Sequence, residues 1–447
     1  MAILIFDIGK TNKKILVFNE EYQIIYEELK QFSEIQDADG FQTENLSQLK
    51  NWMLEAFRRI STDFPIQAVN FSAYGASGVA IDKNGQELGY LINYLKPVDE
   101  KLVEKFWAIN PNRSLTEKIS CSPWMGNLNT GYQWFERLNK ENMQELAYFL
   151  HFPNYLSFLF HEEYFAEMTS IGCHTLLWDF PQNSYLPWIK SSGLENYLPQ
   201  LKSGYESIPS KKYAIQIGMG LHDSSSALIP YFKQFKSKFI LISTGTWCIS
   251  MNPFKIQNLS DKDLENDVLC YLTPEGKAIK SSRLFAGNEH EEVMKDMVEH
   301  FGKQAAYFHQ LKYNESIRER FLKKLEEEKT IKRESHFLKA SDFRSKKLTE
   351  FSSAAEAYEE FMLDLTIQQL YSVGFVFDGN EEYAILVDGG FSKNSIFMNC
   401  LKLAYPNNPV FAAEVGQASS LGAALAIHSD WNHLPMPKDL VKLNLIE

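Results

Sequence analysis

The chain has 447 residues, 45% of them hydrophobic and 14% aromatic, with 45 Lys and Arg against 57 Asp and Glu. That length exceeds what one ordinary core serves, so two or three domains are expected, and a net charge of -12 argues against a general role on nucleic acid or an anionic membrane. The five cysteines, Cys121, Cys173, Cys248, Cys270 and Cys400, are scattered, odd in number and without a CxxC pair, which favours reduced thiols over a disulfide framework or a zinc site. With no basic leader and no apolar stretch near ~18 residues, a cytoplasmic protein is expected.

In chain order, Ile3–Phe6, Ile15–Phe18 and Ile24–Glu28 read as a three-stranded meander, followed by a helix over Leu46–Ile60 and a strand over Ala68–Ser72, the beginning of an α/β layer fold. Tyr74–Gly78 is a small-residue stretch suited to a ligand-facing loop. Asn129–Glu167 is expected to be largely helical, and Ile215–Gly220 to be a strand ending in a glycine turn. A polar-to-apolar change at Lys236–Phe239 places the boundary between two halves, 1–237 and 238–447, and such a join can act as a hinge. In the second half a strand-turn-strand pattern returns at Leu241–Ser250. Glu289–Leu348 reads as a helical, strongly charged and solvated insert, Ala354–Val373 as a more apolar helix, Ile385–Val387 as a short strand ending at Asp388-Gly389-Gly390, and Gly422-Ala423-Ala424 as part of a final helix.

Several motif-like fragments lack essential members. Gly9-Lys10-Thr11 ends like a P-loop, yet Leu4 stands where that motif needs its first glycine. Gly218-Met219-Gly220 has Asp223 in place of the third glycine of a dinucleotide fingerprint. His161-Glu162-Glu163 lacks the second histidine of a zinc protease, and Ser77 lacks the spacing of a nucleophile elbow.

The informative pattern is a pair of loops. Asp7-Ile8-Gly9-Lys10-Thr11-Asn12-Lys13-Lys14 joins two apolar strands and has an acid at its mouth; Ser243-Thr244-Gly245-Thr246 repeats the design. Each alone fits an ordinary hairpin. Together, two glycine turns with backbone N–H groups and hydroxyls suit the β- and γ-phosphates of a nucleotide, and Asp7 would hold a magnesium ion. Asp223, between a strand and the helix-like Ser224–Tyr231, reads either as a helix N-cap or as a catalytic carboxylate.

These residues resemble the FGGY carbohydrate kinases of the actin, Hsp70 and sugar kinase superfamily over most of the chain. Asp7, Gly9, Thr11 and Lys14 match the first phosphate motif, Thr244, Gly245 and Thr246 the second, and Gly389, Gly390 and Gly422-Ala423-Ala424 the adenosine motif. Within the family the chain is most similar to rhamnulokinases, through Tyr74-Gly75, Asn129-Thr130-Gly131-Tyr132-Gln133, Glu167 to Thr175, His222-Asp223-Ser224 and the second loop with Trp247. The resemblance implies two RNase H-like domains with mixed sheets flanked by helices and an active site in the interdomain cleft.

It further implies ATP and Mg2+, with Asp223 as general base toward the sugar hydroxyl, and with Gly75, Gln133, His222 and Ser224 at the sugar. Thr11, Asn12 and Thr246 would orient the phosphates, and Asn288 would hydrogen-bond the nucleotide unless it caps a helix. The expected reaction is transfer of the γ-phosphoryl group to a primary hydroxyl of a ketose or deoxyketose such as L-rhamnulose or L-fuculose. A sugar- and ATP-binding sensor without turnover, or an Hsp70- or actin-like ATPase, are the alternatives.

Overall fold

In the computed structural model, residues 1–110, 112, 130–138, 144–255, 259–266 and 268–447 are described; of the positions named above, Cys121 and Asn129 lie outside them. The strand Ala2–Ile8 is buried along its whole length, as a nearly continuous apolar run requires when both faces of a sheet are covered. It pairs antiparallel with Lys13–Asn19, in register Ile8 to Lys13, and parallel with Ile66–Ala73. The first sheet runs in the order Ser207–Pro209, Gln216–Gly218, Ile66–Ala73, Ala2–Ile8, Lys13–Asn19, Ile24–Lys30, with Leu221–His222 pairing beside the end of Ile66–Ala73.

The helix Leu46–Asp63 covers this sheet. The Asn45 side chain accepts from Gln48 N–H at its start, and Leu46, Leu49, Trp52, Met53, Ala56, Phe57 and Ile60 form its buried stripe, the spacing of one helix face.

The second sheet repeats the plan. Phe239–Thr244 pairs antiparallel with Cys248–Asn252 and parallel with Ala384–Gly389, and the full order is Leu269–Leu272, Ala278–Leu284, Cys248–Asn252, Phe239–Thr244, Ala384–Gly389, Val410–Glu414, Lys442–Ile446. Each sheet is therefore a hairpin with a parallel strand against its first arm. The helix Ala354–Gly374 lies on the second sheet and is buried on nearly every side.

Three elements differ from the sequence reading. Asn129–Glu167 is not continuously patterned as helix among its described residues: it holds the helices Thr130–Leu138 and Phe152–His161, and between them the unforeseen strand Leu146–His151 pairs antiparallel with Gly78–Asp82. The charged segment is not a solvated insert. Phe308, Ile317, Phe321, Phe337 and Phe343 pack into the core around Ala354–Gly374, while Lys324 and Lys346 both reach Asp364 at 2.6 Å. Finally, Ala418–Ala426 is not the last element, since His428–Trp431 and the strand Lys442–Ile446 follow it. This helix belongs by sequence to the second half, yet Leu421, Ala423, Ala424 and Leu425 pack with Ile3, Ile5 and Leu16 of the first sheet.

Candidate active site between the two sheets

The first loop is the four-residue turn Gly9–Asn12, closed by Gly9 N–H to the Asn12 carbonyl at 3.0 Å. Thr11 is exposed, and the Asn12 side chain accepts from Gln31. Lys10 is paired with Glu34, while Lys14 donates to Gln417 at the start of the crossing helix, at 2.7 Å. Just before the turn, one oxygen of Asp7 accepts the hydroxyls of Ser419 and Ser420 at 2.8 and 2.7 Å. Among the described residues its other oxygen receives no donor. Burial raises the Asp7 carboxyl above its ordinary range, and the charge of Asp223 pushes the same way against those two hydroxyls.

The second loop is built for close contact. Thr244 donates its hydroxyl to the Asp388 carbonyl and accepts from Phe391 N–H at 3.0 Å, so this side chain braces the loop against the glycine turn. Gly389 has φ +87°, and a Cβ there would lie 1.8 Å from the Thr244 carbonyl oxygen; no other residue fits this backbone. Gly390 with Gly245, Thr246, Gly287, His290 and Phe391 lines a cavity of about 560 Å³. Asn288 is not the N-cap, a position held by Phe285: it is the third residue of the helix Ala286–Phe301, its first-turn N–H bonds the Thr246 carbonyl and its side chain donates to Glu292.

Asp223 is the first residue of a short helix whose N-cap position is His222. Its carboxylate accepts from the adjacent Ser224 N–H at 2.6 Å, but Asp223 lies inside the helix and the N-cap position belongs to His222, so it is not the N-cap residue. With Ser224, Ser243, Asp388, Gln417 and Ser419 it lines a second cavity of about 300 Å³ that joins the two halves. Burial pushes Asp223 up to about 6, although 36% of the side chain opens on the cleft, where water tempers the effect.

His222 is buried, and burial lowers its imidazole to about 3, leaving the ring neutral. Its Nε2 lies 3.2 Å from Asp223 Oδ1 and 3.3 Å from Cys173 Sγ, and its Nδ1 3.3 Å from Ser225 Oγ. The tautomer that satisfies this set donates Nε2–H toward the carboxylate and accepts the Ser225 hydroxyl. Gly75 is glycine because a Cβ would lie 2.5 Å from Cys173 Sγ and 2.9 Å from the His222 ring. The His222 backbone N–H donates to Thr169 Oγ1, which donates to Glu167 Oε1 at 2.7 Å; burial raises Glu167 to about 7 against these and neighbouring bonds. Gln133 is buried on the helix Thr130–Leu138 and is not a surface residue; among the described residues no hydrogen bond joins it to His222 or Asp223.

Sequence reasoning passed over Ser419, Ser420, Lys13 and Glu44. The serines sit more than 400 residues from Asp7, beyond any local pattern. Lys13 had one local signal, a lysine opening an otherwise apolar strand.

Two hairpin sheets of one plan, with a cavity between the halves lined by the carboxylates of Asp223 and Asp388, define the actin-like two-domain class of phosphoryl-transfer folds. A family model described as the FGGY family of carbohydrate kinases, N-terminal domain, matches residues 2–226, and one described as carbohydrate kinase FGGY, C-terminal domain, matches residues 236–325. The chain belongs to the FGGY family of carbohydrate kinases, enzymes that phosphorylate sugar hydroxyls with ATP.

Solved structures agree in fold. A carbohydrate kinase from Novosphingobium aromaticivorans is similar at TM-score 0.75 and 18% identity, covering 99% of this chain and 96% of that one. Xylulose kinase from Rhodospirillum rubrum gives 0.76 and 11% over 100% and 94%, and Plasmodium falciparum glycerol kinase with ADP gives 0.71 and 15% over 96% and 89%. No curated protein sequence matches the chain. Among the described residues no helix is long and apolar enough to cross a membrane.

Proposed function

We propose that this kinase transfers the γ-phosphoryl group of ATP to a primary hydroxyl of a ketose or deoxyketose of the L-rhamnulose or L-fuculose kind, with Asp223 as general base. The observation that carries the proposal is the Asp223 carboxylate itself, open to the cavity that joins the halves and raised toward neutrality, where a base takes a proton most effectively. Asp223 takes the hydroxyl proton as the acceptor oxygen bonds to the γ-phosphorus and the bond to the departing ADP breaks; the proton then leaves to solvent. His222, neutral and held by Ser225, keeps the carboxylate oriented. Ser224 lines the acceptor side with Gly75 and Gln133.

The nucleotide would lie along the cavity of Thr244, Gly245, Thr246 and Gly390, with Gly389 shaping the turn and Asn288 behind it, and with its phosphates between that loop and Gly9, Thr11, Asn12 and Lys14. Asp7 fits a hydrated magnesium ion: one oxygen is held by two serines and the other is unengaged, the hard oxygen donor such an ion takes. When bound, magnesium offsets phosphate charge. Closure of the halves about 236–239 would exclude water, which otherwise competes with the sugar.

A coupled ADP-release screen over ketoses, aldoses and polyols tests the substrate. A single strong response to an L-ketose with a free primary hydroxyl is expected. Turnover confined to xylulose, glycerol or gluconate would redirect the assignment, and silence with ATP still bound would favour the sensor.

A further inference from the structure

Lys13 opens the second strand opposite Ile8, with its side chain 2% exposed. An ammonium has three N–H groups, and each finds an acceptor: the Gly9 carbonyl at 3.0 Å, the Lys10 carbonyl at 2.9 Å and Glu44 Oε1 at 2.8 Å. The same Glu44 oxygen accepts the Tyr74 hydroxyl at 3.0 Å, one residue before Gly75 and its contact with His222. A buried ion pair seldom stabilises a fold more than apolar side chains of equal volume. Fold stability alone therefore gives no reason for a lysine here, and two of its three bonds go to the loop.

Across a trans peptide, a carbonyl and the following N–H point in opposite directions, and the chain has no cis peptide among its described residues. Drawing the Gly9 and Lys10 carbonyls onto the ammonium therefore turns the N–H groups of Lys10 and Thr11 away from it. Among the described residues neither N–H donates to an acceptor in the chain. Two successive free amides in an open turn form an anion-binding concavity.

We propose that Lys13, anchored by Glu44 and Tyr74, is a positioning residue that aims the Lys10 and Thr11 amides at the nucleotide's terminal phosphates, an inference that rests on the kinase reading above. Lys13 touches no phosphate; it acts through the loop. Because the same carboxylate holds Tyr74, the loop and the acceptor side share one buried anchor.

The test compares wild type with Lys13→Met/Glu44→Met, which removes the pair without stranding a charge, and with the milder Glu44→Gln in case the double variant does not fold. Binding of ATP with magnesium and of adenosine is measured by calorimetry without any sugar, beside melting temperature. We expect the double variant to fold, to bind adenosine as wild type does and to lose about tenfold or more in ATP affinity, with Glu44→Gln showing a smaller loss of the same kind. Unchanged ATP affinity, or equal loss for adenosine and ATP, in a folded variant overturns the proposal. If wild type binds ATP but phosphorylates no acceptor, the kinase reading fails while the positioning role is still decided by binding.

Discussion

Asp223 owes its environment to three neighbours: Ser224, whose N–H it accepts, His222, whose neutral ring lies against it, and the cleft that leaves it open to an acceptor. A general base contributes about 10² to 10⁴-fold. Asp223→Asn should lose that much sugar-dependent turnover in steady-state assays and keep ATP affinity by calorimetry. The pH dependence has a fixed sign. The carboxyl titrates at 3.8 when unfolded and about 6 when folded, so the stability linked to its proton is full below ~4 and lost as pH rises to about 6. Catalysis runs the other way because the base must be ionised: kcat/KM should fall about tenfold per pH unit below about 6 and level off above it. A flat acid limb in wild type would remove Asp223 from the role.

At the level of elements, the charged segment shows how composition misleads. Arg320, Lys324 and Lys346 converge on Glu360, and although burial pushes that carboxyl up, their hydrogen bonds hold it at about 2. Its pKa is depressed, so its stabilisation is present above ~4.5 and lost as pH falls toward 2. Melting curves of wild type and Glu360→Gln should differ by about 1 °C at pH 6, the shift that roughly 1 kcal/mol causes when the whole chain unfolds as one unit, and should converge near pH 2. Beneath these charges Phe361 is fully buried; Phe361→Ala should cost about 3–5 kcal/mol in denaturant unfolding. The apolar residues were visible as Ile317, Phe321 and Leu325, one stripe at four-residue spacing, but eleven polar-dominated positions around Leu325 obscured it.

At the scale of the whole molecule, the helix Ala418–Ala426 is one tie between the halves, beside the apolar packing of Trp134, Leu176 and Trp188 on Leu259, Leu264 and Leu272. Gln417 takes Lys14 and reaches Glu27, Ser419 and Ser420 hold Asp7, and the Ala423 carbonyl accepts from Asn70. Because an element of the second half completes the core of the first, we expect a single calorimetric transition in place of two. ATP with magnesium at about 100 times its Kd should raise stability by about 2.7 kcal/mol and move that transition as one; two separately shifting transitions would contradict the coupling.

The sequence by itself determined the pieces whose physics is local. Apolar runs closed by glycine turns specify hairpins, the spacing of Leu46 to Ile60 specifies a helix, and the twin loops stand out because the same glycine-and-hydroxyl turn between apolar strands recurs in both halves. Asn288 and Gln133 were less legible, since whether a polar side chain on a helix faces solvent depends on what packs over it. Only the tertiary structure decided which distant groups meet: Ser419 and Ser420 on Asp7, Glu167 through Thr169 on His222, and the phenylalanines of the charged segment on the helix beneath. The reason is physical. Backbone preference acts over a few residues, whereas burial and hydrogen bonding act between surfaces that only the folded chain brings together.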